Sequence, residues 1–174
     1  YCFRSVTSRC WVFNQVIPTS VSSFRIYHET LSRFSCAPLQ PELILRVKGK
    51  VPMIGICLGH QAIVEAYGGK VSGAGEIVHG KAAMMNHNQH KVFGHLPNPL
   101  SIARYHSLVA TEVPASLATI ADVDGLVMAV LNEEDKVCGF QFHPESILTT
   151  QGAELLTHTL NWVTSQNPKE SENE

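Results

Sequence analysis

Residues 51–62 read VPMIGICLGHQA, and the fold turns on how this stretch divides. VPMIGI (51–56) is a short unbroken apolar run, the pattern of a strand buried on both faces. LGHQAIVEAYGG (58–69) carries good helix formers in its interior and ends on the pair Gly68-Gly69, a helix stop. Cys57 sits at the join. Upstream, Pro41 and Glu42 suit the first turn of a helix, which continues through Leu43, Ile44, Leu45 and Val47 to a stop at Gly49. Helix, buried strand, tight turn and helix is the order of an open α/β sheet. The predicted class is α/β, an open and mostly parallel sheet with flanking helices.

The second half is richer in strands. KVSGAGEIVHGK holds short β stretches broken by glycine, and SIARYHSLVA and LATIADV are further candidates. LVMAVLN and KVCGFQF flank the acidic turn Glu133-Glu134-Asp135 as a β-hairpin. A helix is predicted over about 151–163, with Leu156, Leu160 and Val163 as its apolar face. Residues 165–174 form a polar tail.

A chain of 174 residues with 44% hydrophobic and 16% charged composition is long enough to bury a core as one domain. A formal net charge of -2 without a long basic stretch excludes the electrostatic footprint of a nucleic-acid binder. No apolar segment is long enough to cross a bilayer, and polar residues interrupt any secretory pattern at the N-terminus. Five cysteines at irregular spacing, with no C-x-x-C pair, point to a reducing cytoplasm rather than disulfides or a zinc site.

Gly55 and Gly59 flank Cys57 at minus two and plus two, the G-x-nucleophile-x-G pattern of a strained strand-to-helix elbow. The helix N-terminus favours a thiolate there, and the Leu58 N–H points where an oxyanion would form. Against this stands the buried inert thiol, the common fate of a free cysteine, and the local pattern leaves the two readings balanced. Cys138, mid-strand, reads as core.

A cysteine nucleophile needs a histidine base and a group to orient it. His143 directly follows the strand KVCGFQF, and Pro144 biases it to an extended conformation at the sheet edge. Glu145 is within reach of the same imidazole. Taken alone, an H-P-E tripeptide is more often a turn histidine with a capping carboxylate. His87, His90 and His95 read as a solvated polar loop rather than a metal site. His60 and His106 are expected to orient their neighbours. Gln61 lies one helical turn beyond Cys57, on the same side.

GICLGHQ (55–61), YHSL (105–108) and GFQFHPES (139–146), in this order, closely resemble the class I, triad-type glutamine amidotransferases. The longer strings GHQAIVEAYGG, HGK and HPESILTTQGA are similar to the branch that forms the glutaminase subunit of anthranilate synthase. The resemblance covers residues 37 to about 163. It implies Cys57 as nucleophile, His143 as base and Glu145 as the residue that orients it. It further implies that Gln61, Ser107 and Leu108 hold the glutamine. The implied partner is a synthase subunit like anthranilate synthase component I, which turns chorismate into anthranilate with the ammonia released. The equivalent subunit of aminodeoxychorismate synthase shares the triad and is the alternative, as is a non-catalytic fragment of the same family. No cofactor or metal is implied for this chain.

Residues 1–36 depart from the family. They hold seven Ser, four Arg and three Cys but no Gly, Ala, Asp, Lys or Met. A short strand around Trp11 to Ile17 is the one element they suggest. Family members carry their first strands and a Pro-Gly-Pro-Gly-like oxyanion loop in this region, whereas here no Gly precedes Gly49. The composition resembles unrelated or out-of-frame sequence joined to a regular portion at 37–164. The expectation is a sheet lacking those strands, with VPMIGI at an exposed edge.

Overall fold

A computed structural model describes residues 2–4, 11–13, 41–76 and 78–165. In chain order the elements are β1 (Cys2–Arg4), β2 (Trp11–Phe13), α1 (Pro41–Val47), β3 (Met53–Ile56), α2 (Leu58–Ala66), β4 (Lys70–Gly73) and β5 (Lys81–His87). They continue with β6 (Leu100–Arg104), β7 (Leu108–Glu112), β8 (Ala118–Val123), β9 (Leu126–Asn132), β10 (Val137–Phe140) and α3 (Gly152–Thr164). The expected features at residues 14–17 and in the tail beyond 165 lie outside the described residues.

One eight-stranded sheet runs β1-β2-β3-β10-β9-β8-β5-β6, and β4 pairs with β7 beside it. The α/β class holds, but the parallel character is confined to β2, β3 and β10. The remaining pairings are antiparallel, because β8, β9 and β10 follow one another through tight turns. The sheet curls so that its far strand β6 meets the segment after β10, where the His143 N–H donates to the Ala103 carbonyl at 3.1 Å.

One expectation is corrected here. β3 is not an edge strand, since β2 pairs with it in parallel register from Trp11↔Met53 to Phe13↔Gly55. The apolar, β-branched and aromatic content of WVF supplies what a strand needs, whatever the surrounding composition.

Side-chain alternation sorts the core into two layers. Ile54, Ile56, Cys138 and Phe140 face α3 with Leu155, Trp162 and Val163, while Met53, Val130 and Val137 face α1 and α2 with Ile44, Ile63 and Val64. Cys138 is fully buried, and burial pushes its thiol well above the usual range, as a core reading requires. The face of α3 is rotated from expectation. Leu155, Thr159, Trp162 and Val163 are buried, while Leu156 and Leu160 pack half-buried at the margin. Thr159 can be buried because its hydroxyl donates to the Leu155 carbonyl at 2.7 Å, and Trp162 donates through Nε1 to Glu133.

The histidine-rich stretch also differs from its sequence reading. MMNH belongs to β5, where Asn86 and His87 pair with β8, so His87 is buried and stacks on Phe93 at 4.2 Å. His90 bonds Glu133 at 2.6 Å and meets the Trp162 ring edge-on. Of the three, His95 is exposed as expected. Among the described residues no helix is long and apolar enough to cross a membrane.

Candidate functional site

Parallel pairing of β3 with β10 brings two chain segments to one carboxyl edge of the sheet, where open α/β folds place their sites. The register pairs Ile56 with Phe140, and the Cys57 N–H donates to the Phe140 carbonyl at 2.8 Å. Cys57 and Gln141 therefore leave adjacent strands at the same height, and His143 follows two residues on. Cys57 adopts φ 52° and ψ -102° at the N-cap of α2, a strained conformation for a residue with a side chain.

Two glycines make the elbow possible. A Cβ on Gly55 would lie 2.6 Å from the Gly59 carbonyl group, and one on Gly139 would lie 2.9 Å from Nδ1 of His60. Gly55 and Gly139 are register partners on the α2 face. Together they form a bare patch onto which the first turn of α2 presses. His60 fills the space over Gly139. Its full burial, the main cause, holds the imidazole neutral by lowering its pKa to about 4.

His143 is buried and its Nδ1 lies 2.7 Å from Oε1 of Glu145, as the sequence suggested. Burial opposes its charged form, but hydrogen bonds to the Cys57 and Glu145 side chains and their charges outweigh that and raise it to about 9. The turn that carries it is tied down repeatedly. Thr149 donates its hydroxyl to the His143 carbonyl at 2.7 Å and accepts from the Ala103 N–H at 3.0 Å. Tyr105 meets the His143 ring edge-on, with centroids 5.2 Å apart.

The remaining expected residues gather around this pair. Leu58 occupies the first helical position, where a backbone N–H has no acceptor within the helix. Gln61 donates through Nε2 to the Leu108 carbonyl at 3.3 Å and to Oε1 of Gln141 at 3.1 Å. Ser107 and Leu108 are exposed beside it, and the Ser107 carbonyl accepts from the Ala74 N–H.

Two participants escaped the sequence reading. Gln141 is fully buried and places Nε2 3.9 Å from the Cys57 sulfur. It precedes His143 by two residues, so the period of two in an extended segment was the available signal. Arg104 is buried at the end of β6 and contacts His106, and nothing in the local sequence distinguishes it from a surface arginine.

Comparisons with known proteins find relatives of one family. The family model described as glutamine amidotransferase class-I matches residues 31–162. Anthranilate synthase component 2 of Vibrio parahaemolyticus is 68% identical over 127 residues, covering 73% of this chain and 65% of that protein. The protein of the same description from Buchnera aphidicola subsp. Schizaphis graminum is 47% identical over 154 residues, covering 84% of this chain and 79% of its own length. The chain thus spans a little under two thirds of the Vibrio relative.

Two solved structures share the fold. One is a putative GMP synthase subunit protein from Thermoplasma acidophilum, with a TM-score of 0.63, 23% identity, and coverage of 71% of this chain and 62% of that one. The other is a glutamine amidotransferase from Thermotoga maritima, with a TM-score of 0.59, 18% identity, and coverage of 72% and 67%. With the elbow cysteine, the histidine–glutamate pair and the family match all falling within one stretch of chain, the protein belongs to the class-I glutamine amidotransferases.

Proposed function

We propose that the chain is the glutaminase subunit of an anthranilate synthase, working through Cys57, His143 and Glu145. The observation that carries the reading is Cys57 at positive φ on the N-terminus of α2, at the end of the strand that pairs in parallel with the one leading to His143, whose Nδ1 lies 2.7 Å from Glu145. The Cys57 thiolate attacks the side-chain amide carbon of glutamine, and the Leu58 N–H receives the oxyanion. His143 gives its proton to the amide nitrogen, the C–N bond breaks, and ammonia leaves a γ-glutamyl thioester. Water, deprotonated by the now neutral His143, attacks the thioester and releases glutamate and the thiolate. Gln61, Ser107 and Leu108 hold the amino-acid end of the substrate. The ammonia passes to a component I-like synthase subunit, and the relatives described as component 2 support that partner. The free thiols of Cys57 and Cys138 support a cytoplasmic setting.

The portion over 37–164 carries the whole constellation, while residues 1–36 lack the glycines of an oxyanion loop. With Leu58 as the donor that the described residues supply, turnover is expected on the order of 10² to 10³ below that of a family member with the glycine-rich loop. The test is incubation with a diazoketone analogue of glutamine, alone and with a component I partner. Stoichiometric modification at Cys57 is the expected result. A chain left unmodified overturns the glutaminase reading, and one hydrolysing glutamine at the rate of a family member with the loop overturns the expected loss of turnover.

The state of His143 sets a pH dependence. Its pKa is raised to about 9, so the proton needed by departing ammonia is present throughout the neutral range and lost above it. kcat/KM is expected to fall as pH rises through about 9. The stability contributed by the charged His143–Glu145 pair follows the same sense. It is fully present below the ordinary histidine pKa of about 6.5 and fades as pH climbs through the raised value. A flat rate profile to higher pH would show that His143 is not the acid.

A further inference from the structure

We infer that Arg104 is a positioning residue that selects the imidazole tautomer of His106 bracing the Tyr105–Leu108 turn for glutamine, a reading that rests on the proposed glutaminase function. Arg104 Nε donates to His106 Nε2 at 3.2 Å, and its Nη2 pairs with Oε1 of Glu76 at 3.1 Å. A guanidinium has no acceptor and does not give up its proton, so His106 Nε2 is the bare nitrogen. The ring proton is then on Nδ1, which lies 3.1 Å from the Leu108 carbonyl, a group that can only accept. Each end of the ring faces a partner with a single possible role. The opposite tautomer would set two N–H groups against each other and a lone pair against a carbonyl, losing both bonds.

What the tautomer holds is the wall of the site. The Leu108 carbonyl also accepts from Gln61 Nε2, which bonds Gln141, whose own amide reaches toward the Cys57 sulfur. A continuous chain of polar contacts thus runs from Glu76 on the surface to the nucleophile. His106 is buried, and the charged or titratable groups around it are Arg104, Glu76, His143 and His60. Burial first, then the Arg104 guanidinium, lower its pKa to about 4, so the ring stays neutral at working pH.

The test uses the full chain and the rate at which the diazoketone analogue modifies Cys57. Arg104→Met is expected to raise the half-saturating concentration about five- to tenfold, the worth of one buried hydrogen bond, and to leave the limiting rate within about twofold. His106→Asn places an amide N–H at the Nδ1 position with no tautomer to choose. In that background Arg104→Met is expected to change the half-saturating concentration less than about twofold. Nitrogen NMR of the imidazole is expected to show bare Nε2 and protonated Nδ1 in the parent, and a tautomer mixture in Arg104→Met. Arg104→Gln, whose amide can either donate or accept and so no longer fixes the tautomer, is expected to do the same if the methionine variant does not fold. An Nε2-protonated parent, an unchanged tautomer in both variants, or an equal effect in the His106→Asn background overturns the inference. If the analogue fails to modify the parent at all, the glutaminase reading falls while the NMR result still decides the role of Arg104.

Discussion

Replacing Cys57 with alanine is expected to lower glutaminase turnover by a factor on the order of 10⁴ to 10⁶, the scale seen when a nucleophile is removed from a coupled triad. The thiol of Cys138 cannot take its place. Cys138 is fully buried on the α3 face of β10, and burial holds it protonated. The same variant keeps the strain at φ 52°, because alanine also carries a Cβ, and no side-chain cap bond is lost, so its thermal unfolding should stay close to that of the parent. The measurement is ammonia release with the synthase partner present, alongside thermal unfolding. Retained turnover in Cys57→Ala would remove the nucleophile from the proposed mechanism. Binding of the proposed synthase partner should survive, since the substitution leaves the backbone and the surrounding surface untouched.

The second large effect is expected at Gly152, a residue outside the site. A Cβ there would overlap the carbonyl oxygen of Pro144 and crowd the rest of that peptide. The obstruction is backbone, so no side-chain rotation can relieve it. Gly152 opens α3 and is linked to the catalytic turn by a ladder of short bonds. The Ser146 N–H donates to the His143 carbonyl, that of Thr149 to Ser146, and that of Gly152 to Thr149. Either α3 backs away from its core contacts or Pro144 moves, and Pro144 is bonded directly to His143. Gly152→Ala is expected to cost about 3 kcal/mol or more and to lower Tm by about 6–12 °C. Modification of Cys57 by the glutamine analogue should slow more than about tenfold, because a shift near 1 Å in a catalytic group has that effect. Differential scanning calorimetry and the modification rate check both. A parent-like Tm would show that the turn after β10 has slack the packing does not suggest.

Much of this site is written in short stretches of chain. The elbow at Cys57 follows from an apolar run, two glycines and a helix start, all within a dozen residues. His143, Pro144 and Glu145 are neighbours, so the imidazole–carboxylate pair needed only an extended backbone to form. Helix and strand locations emerged for the same reason, because period and stop signals are carried by residues next to one another. The misreadings have a common origin too. MMNH looked like loop because its polar end is hidden by β8, and the face of α3 was misjudged because Thr159 and Trp162 satisfy their polar atoms inside the core.

Local sequence determined where the elbow cysteine and the neighbouring histidine and glutamate stand in the chain, and that a helix begins at Leu58. Tertiary structure alone decided that Gly139 stands beside Gly55 to let that helix press on the sheet, and that β2 covers the edge of β3. It also decided that Gln141 comes within 3.9 Å of the Cys57 sulfur and that Arg104 bonds His106. The physical reason is range. Backbone preference is set within a few residues, whereas strand order, register and the burial of a charge depend on contacts such as Gln141 with Cys57, 84 residues apart.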